Sequence, residues 1–245
     1  VDLYYFISDV HLGLKAVDSS LIEKRFLSFL DSLPSNTKAL YLLGDIFDFW
    51  YEYKYVIPRG HTRVLGRLAQ LKDRGVELYF CRGNHDIWTY EYFEKEIGAK
   101  MISQPYVTEI AGKRFCLGHG DGLGYAPPGF RFMRWMFHNR FVQMLFSSLH
   151  PRWAYALGYG WSKNTRLGKT GEDGKTEYAF RGEDEPIYKY AASFQEKIDY
   201  FIFGHFHYAV DVKTAERILF MGDWHTRPSY VVLDNKGRIK LVEIK

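Results

Sequence analysis

Five times along this chain a short apolar run ends directly in residue types that ligate metals. Residues 3–7 give way to Asp9-Val10-His11, and residues 39–43 to Gly44-Asp45-Ile46-Phe47-Asp48. Residues 76–81 lead into Gly83-Asn84-His85-Asp86, residues 114–117 into Gly118-His119-Gly120-Asp121, and residues 200–203 into Gly204-His205-Phe206-His207. Runs of this length and composition, closed by glycine or aspartate, read as strands. Between them, residues 21–33 and 62–73 place apolar side chains three and four apart, the helical period. Strand and helix in alternation predict βαβ units and a sheet covered on both faces. The carboxyl ends of strands in such a sheet meet at one crevice, so five loops far apart in sequence are expected to line one site. Towards the end, residues 200–203, 209–212, 217–221, 230–233 and 239–244 follow one another with almost no helix and with the turn signal Asn235-Lys236-Gly237. That half is expected to be antiparallel.

The five loops deliver Asp9, His11, Asp45, Asn84, His119, His205 and His207, enough donors to surround two cations. A mixture of carboxylate, imidazole and amide suits Mn²⁺, Fe²⁺ or Zn²⁺ better than Ca²⁺, which prefers an all-oxygen shell. Two such ions about 3.5–4 Å apart can share a carboxylate and clamp a phosphoryl group during in-line displacement. The loop glycines let backbone turn sharply and approach a phosphate closely. Each short motif alone is a common turn or cap; it is their joint occurrence, each after a strand, that carries the reading. Asp48 is expected to partner a ligating histidine rather than to ligate, and Asp121 suits either role. His61, His138 and His150 fall outside the loops and read as surface or core residues.

The 245 residues allow one large domain with an insertion. Ordinary proportions of hydrophobic (47%) and charged (25%) residues exclude collagen, coiled coil and disorder. Two cysteines, Cys81 and Cys116, cannot build a disulfide framework and point to a reducing compartment. Residues 1–8 lack the basic start and long apolar core of a leader, and no stretch has the ~18 uncharged apolar residues of a membrane span. The expectation is a cytoplasmic protein whose membrane contact is peripheral. Residues 122–170 are different in kind. They hold seven basic residues and no Asp or Glu, so that with the chain at +4 this segment is +7 and the rest is −3. They also hold eleven aromatics, and the stretch around residues 130–149 reads as one helix, apolar on most sides, with Arg131, Arg134 and His138 on one stripe.

The set Asp9-x-His11, Gly44-Asp45-x-x-Asp48, Gly83-Asn84-His85-Asp86, Gly118-His119-Gly120 and Gly204-His205-x-His207 resembles the calcineurin-like metallophosphoesterase family. The resemblance implies a four-layer α/β/β/α sandwich. It also implies one metal on Asp9, His11, Asp45 and His207 and a second on Asp45, Asn84, His119 and His205, with Asp45 bridging. His85 would protonate or stabilise the leaving oxygen, and Asp86 would orient its ring. A narrower likeness lies in Gly44-Asp45-Ile46-Phe47-x-x-Trp50, His119-Gly120-Asp121, the long insertion, and Gly222-x-Trp224-His225-Thr226 with Ser229. These are similar to the UDP-2,3-diacylglucosamine hydrolases of lipid A biosynthesis, which cut a pyrophosphate to give UMP and 2,3-diacylglucosamine 1-phosphate. The best-known branch has Arg where this chain has His85.

Residues 1–121 and 171–245 are expected to form the phosphoesterase core, and the basic and aromatic content of residues 122–170 points to a helical cap forming a lipid groove, a cap packed on the sandwich with its Arg residues in solvent being the alternative. Arg131, Arg134, Lys163 and Arg166 would hold phosphates, with Phe130 and Trp135 sheltering acyl chains. The implied cofactors are two divalent cations, Mn²⁺ first and Fe²⁺ or Zn²⁺ as alternatives. The implied partners are a nucleotide-linked acylated sugar and the anionic inner face of the inner membrane, with no nucleic acid and no obligate protein partner. Asp223 and His225 are candidates for supporting the site. Hydrolysis of another phosphoester, nucleic acid included, is the alternative chemistry. A silent binding protein is the alternative without chemistry, and the complete set of seven ligands counts against it.

Overall fold

A computed structural model of the chain describes residues 1–15, 18–167, 182–213 and 217–244, without the side chains of residues 163–167 and 183. In chain order the strands are β1 (Leu3–Ile7), β2 (Thr37–Leu43), β3 (Glu77–Cys81), β4 (Lys100–Ile102), β5 (Tyr106–Ile110), β6 (Lys113–Gly118), β7 (Tyr200–Phe203), β8 (Val210–Lys213), β9 (Arg217–Phe220), β10 (Ser229–Asp234) and β11 (Ile239–Glu243). The helices are α1 (Ser19–Ser32), α2 (Thr62–Asp73), α3 (Tyr92–Lys95), α4 (Pro128–His138), α5 (Arg140–Ser147), α6 (Pro151–Leu167) and α7 (Pro186–Ala192).

The strands form two sheets, ordered β11-β10-β1-β2-β3-β4 and β5-β6-β7-β9-β8. Alternation within each strand explains why the sheets stack. In β2, Leu40 and Leu42 join the core under α1 and α2, while Ala39, Tyr41 and Leu43 face the second sheet. In β7, Ile202 faces the first sheet, while Phe201 and Phe203 pack toward α7 with Ile187 and Ala191. A strand buried on both faces needs apolar residues at every position, which is what these runs supply. The outer layer of the first sheet is held by amphipathic spacing. Helix α1 buries Ile22, Phe26, Phe29 and Leu30, each contributing about 1.5–3 kcal/mol on burial. It starts where the Asp18 side chain accepts the Ser20 N–H.

Two expectations need correction. The second half is not wholly antiparallel: β7 runs parallel to both β6 and β9, while β8, β10 and β11 pair antiparallel. This matters, because β6 and β7 therefore end at the same edge, as the parallel β1, β2 and β3 do in the other sheet. The single helix expected around residues 130–149 is two, broken at Asn139. That residue is extended (φ −71°, ψ 119°), and its side chain caps α5 by accepting the N–H groups of Phe141 and Val142. Neither α4 nor α5 contains a buried residue. The return to the core at residue 171 lies outside the described residues.

His61 precedes α2 in the helix-side core, its ring edge-on to Phe47 at 4.9 Å. Burial pushes its pKa down to about 4 from 6.5. The unfolded chain therefore takes up this proton first, so the stability is complete above about pH 6.5 and is lost as the pH falls toward 4. Comparing chemical denaturation of the wild type and His61→Leu at pH 7 and pH 4.5 should show the difference moving in the variant's favour by about 2–3 kcal/mol. A difference that does not change with pH would rule the effect out.

Candidate metal centre

The strand-end loops converge by adopting backbone that few side chains tolerate. Asp9, His11, Asp45, His205 and His207 all have φ between 51° and 66°. Left-handed backbone at non-glycine residues costs energy and clusters where function over-determines it. Gly83 has a separate role: a Cβ there would run into the Asp45 side chain and backbone N, so only glycine lets the third loop close on the second.

Among the described residues three groups of donors face one another within 4.8 Å: Asp9, His11 and His207; Asp45, His119 and His205; and His11, Asp48 and His85. In the first, His11 Nε2 lies 3.4 Å from His207 Nε2, and Asp9 Oδ1 is 3.3 Å from His207 Nε2. In the second, His119 Nε2 lies 3.2 Å from both Asp45 Oδ2 and Asn84 Oδ1. Asp45 Oδ2 is also 3.9 Å from His11 Nε2, so this carboxylate stands between the two groups. Behind them, His119 Nδ1 faces the Leu43 carbonyl at 3.1 Å, which leaves Nε2 to point inward.

The donor set fits cations. Asp9, Asp45, Asp48, Asp86 and Asp121 are all buried in this small region, and buried like charges need compensation. Burial alone would push Asp45 up, but His119, with His85 and His11 behind it, holds its carboxyl well below the usual carboxylate range. Burial likewise opposes charging His119, yet Asp45 pushes it up to about 10. Without metal, a proton on His119 does what a cation would do, and a cation binding there must displace it.

The remaining expected residues fall into place unevenly. His85 Nδ1 is 2.8 Å from the Asp48 carbonyl and 4.0 Å from Asp48 Oδ1. The expected orientation of this ring by Asp86 is therefore corrected. The Asp86 carboxylate instead accepts the backbone N–H groups of Gly83 (2.7 Å), Ile46 (2.8 Å), Asp45 (3.3 Å) and Phe47 (3.5 Å), holding the second and third loops together. Burial, then the charge of Asp45, pushes Asp86 up. Asp48 Oδ1 lies 3.8 Å from His11 Nδ1, beside a histidine as expected. Asp223 accepts from the His225 and Thr226 N–H groups and stands 3.9 Å from His207 Nδ1, while His225 is exposed.

In the insertion the picture is mixed. The Phe130 ring lies 6.5 Å from that of His205, but Trp135 is exposed, its ring tilted against that of Phe132 at 5.8 Å. Arg131 is exposed. Arg134 Nη1 donates to the Asp121 carbonyl at 2.7 Å and pairs with its carboxylate, so this edge of the guanidinium is occupied. The side chains of Lys163 and Arg166 lie outside the described residues. Trp161 is one of the eleven insertion aromatics expected to line an acyl-chain groove, whereas Ser162 carries no expectation from the sequence. The Trp161 ring lies tilted, 5.9 Å from that of His85, and Ser162 donates to Asp48 Oδ1 at 3.0 Å. A lone serine in an aromatic helix was the available signal for Ser162, and nothing local showed that Trp161 would lie beside His85. Helix α6 comes this close because Gly158 has no Cβ to meet the Phe49 ring.

A family model, that of the calcineurin-like phosphoesterases, matches residues 4–209. The chain belongs to that family. It is a hydrolase of phosphate esters or anhydrides, and the family implies divalent metal ions at the clusters described above. A UDP-2,3-diacylglucosamine hydrolase of Porphyromonas gingivalis is 38% identical over 94% of this chain and 93% of its own. A protein of the same name from Edwardsiella ictaluri is 28% identical over 98% and 91%. Among solved structures, an NMR structure of a Thermotoga maritima protein covers the whole of both chains at 18% identity, with a TM-score of 0.44.

Proposed function

We propose that this chain hydrolyses the pyrophosphate of UDP-2,3-diacylglucosamine to UMP and 2,3-diacylglucosamine 1-phosphate, using two divalent cations, with Mn²⁺ the expected metal. One cation would be held by Asp9, His11, Asp45 and His207, the other by Asp45, Asn84, His119 and His205. The observation that carries the substrate is the aromatic cap, which over residues 122–162 reaches from the metal clusters to exposed apolar side chains. Phe130 lies beside His205 and Trp161 beside His85, while Phe132, Trp135, Phe141 and Trp153 are more than half exposed. A soluble phosphoester would not need that surface. The near-complete match to relatives named for this activity supports the same reading.

When bound, the cations supply Lewis-acid charge to the phosphoryl oxygens and lower the pKa of a water. The protein's own part is positioning and proton transfer. With Nδ1 turned to the Asp48 carbonyl, His85 has Nε2 to hand a proton to the oxygen that leaves as the P–O–P bond breaks. That ring is buried, with Trp161 packed beside it. Among the described residues no helix is long and apolar enough to cross a membrane, and the cap's exposed aromatics with its basic excess suit peripheral attachment to an anionic inner membrane face.

The test is a Mn²⁺ assay comparing UDP-2,3-diacylglucosamine, UDP-glucosamine, a chromogenic phosphodiester and single-stranded DNA. Preferred cleavage of the acylated nucleotide supports the proposal; preferred cleavage of DNA or of the chromogenic ester defeats it. In the same assay His85→Ala should lower kcat by about 10²–10⁴, the usual size of a general-acid contribution, with metal content unchanged. Loss of metal along with activity would make His85 a ligand instead.

A further inference from the structure

Beside the metal clusters, on the Asn84 and His119 side, lies a pocket of about 120 Å³. Its walls include Arg82, Gly83, Gln104, Asp121, Arg134 and His138. Gly83, one of its walls, is packed directly against the Asp45 side chain, so the pocket lies next to the second cluster. Two guanidiniums reach it, and they are held differently. Arg82 is fixed by its Nε, which donates to the Thr89 carbonyl at 2.6 Å and to Thr89 Oγ1 at 3.2 Å. Among the described residues its two terminal nitrogens donate to no protein group. Arg134 spends Nη1 on Asp121, whose carboxylate is further satisfied by Gln104 Nε2 at 2.7 Å. His138 Nδ1 faces the Arg134 carbonyl at 2.7 Å.

The acid in the pocket is thus already paired, and the free donors belong to a guanidinium anchored at its inner nitrogen. A planar fork held in this way suits two oxygens of one phosphoryl group. We infer that Arg82, with the outer edge of Arg134, forms a subsite for the second phosphoryl group of a diphosphate diester whose first phosphoryl group lies at the metal clusters. This inference deepens the proposed pyrophosphate chemistry and rests on it. It makes Arg82 the residue that separates diphosphates from single phosphoesters.

The experiment measures competitive inhibition of chromogenic phosphodiester cleavage by UDP-N-acetylglucosamine and by UMP, in the wild type, Arg82→Gln and Arg82→Lys. Arg82→Gln should weaken UDP-N-acetylglucosamine about 10- to 100-fold, the loss of a charge-assisted pair, and leave UMP within about twofold. Arg82→Lys should recover part of the loss, since it keeps the charge without the fork. Metal content and Tm, measured on both variants, separate this from a loosened Thr89 loop: a loop effect would weaken UMP and slow the chromogenic ester as well. Equal weakening of both ligands, no weakening, or no inhibition of the wild type by UDP-N-acetylglucosamine overturns the subsite. Failure to cleave UDP-2,3-diacylglucosamine, with the Arg82-dependent selectivity intact, would instead overturn the lipid substrate and leave the subsite assigned to another diphosphate.

Discussion

Asp45→Ala is expected to lower phosphoesterase activity by about 10³-fold or more and to release metal from both clusters. The carboxylate stands between His11 Nε2 and His119 Nε2, at 3.9 and 3.2 Å, and several kcal/mol of charge stabilisation depend on metals held there. Stability should move differently. In the metal-free protein Asp45 is one of a cluster of buried carboxylates, so removing it relieves repulsion among them while losing its pairing with His119 at 3.2 Å and the bond that its Oδ1 accepts from the His85 N–H at 2.8 Å. Metal-free Asp45→Ala should therefore melt near the metal-free wild type, whereas added Mn²⁺ should raise the Tm of the wild type alone. Calorimetry with and without Mn²⁺, alongside metal analysis and turnover, checks all three. A variant that still bound two metals and turned over normally would remove Asp45 from its bridging position.

The sequence was informative about the site because each loop announces itself locally. A strand buried on both faces must be apolar throughout, and the abrupt change to Asp, His or Asn marks where it ends. That is why residues 3–7 and 200–203 match β1 and β7 residue for residue. Strand partners are not local. Nothing in residues 200–203 says that β7 lies parallel between β6 and β9, and the antiparallel expectation came from the absence of helices between strands. β4 and β5 went unseen for another reason: they are short or half-buried, with burial patterns that give no clean period. Asp86 illustrates the limit for side chains. Its place beside His85 in sequence suggested that it orients the ring. In the fold, the carboxylate is drawn instead to four converging backbone N–H groups.

The cap carries the other large expected effect. Trp135, Phe141 and Trp153 are 60%, 61% and 64% exposed, so replacing all three with serine should leave Tm almost unchanged, as surface substitutions do. Their loss should nevertheless weaken binding to anionic vesicles by about 10²- to 10⁴-fold. Burying an aromatic of this exposure contributes about 1–2 kcal/mol, and all three are expected to insert together. The KM for UDP-2,3-diacylglucosamine in mixed micelles should rise in parallel, while the chromogenic phosphodiester, which reaches the metal clusters without the cap, should be cleaved as before. The basic excess of residues 122–170 adds about 1 kcal/mol for each Lys or Arg close to the membrane surface, a contribution that salt screens. Raising the ionic strength should therefore strip residual binding from the triple variant more completely than from the wild type, whose apolar contacts remain. Vesicle sedimentation at two salt concentrations distinguishes these contributions. Unchanged vesicle binding in the triple variant, with an unchanged KM for the acylated substrate, would make the three helices a support for Phe49, Tyr51 and Trp88 rather than a lipid-facing surface.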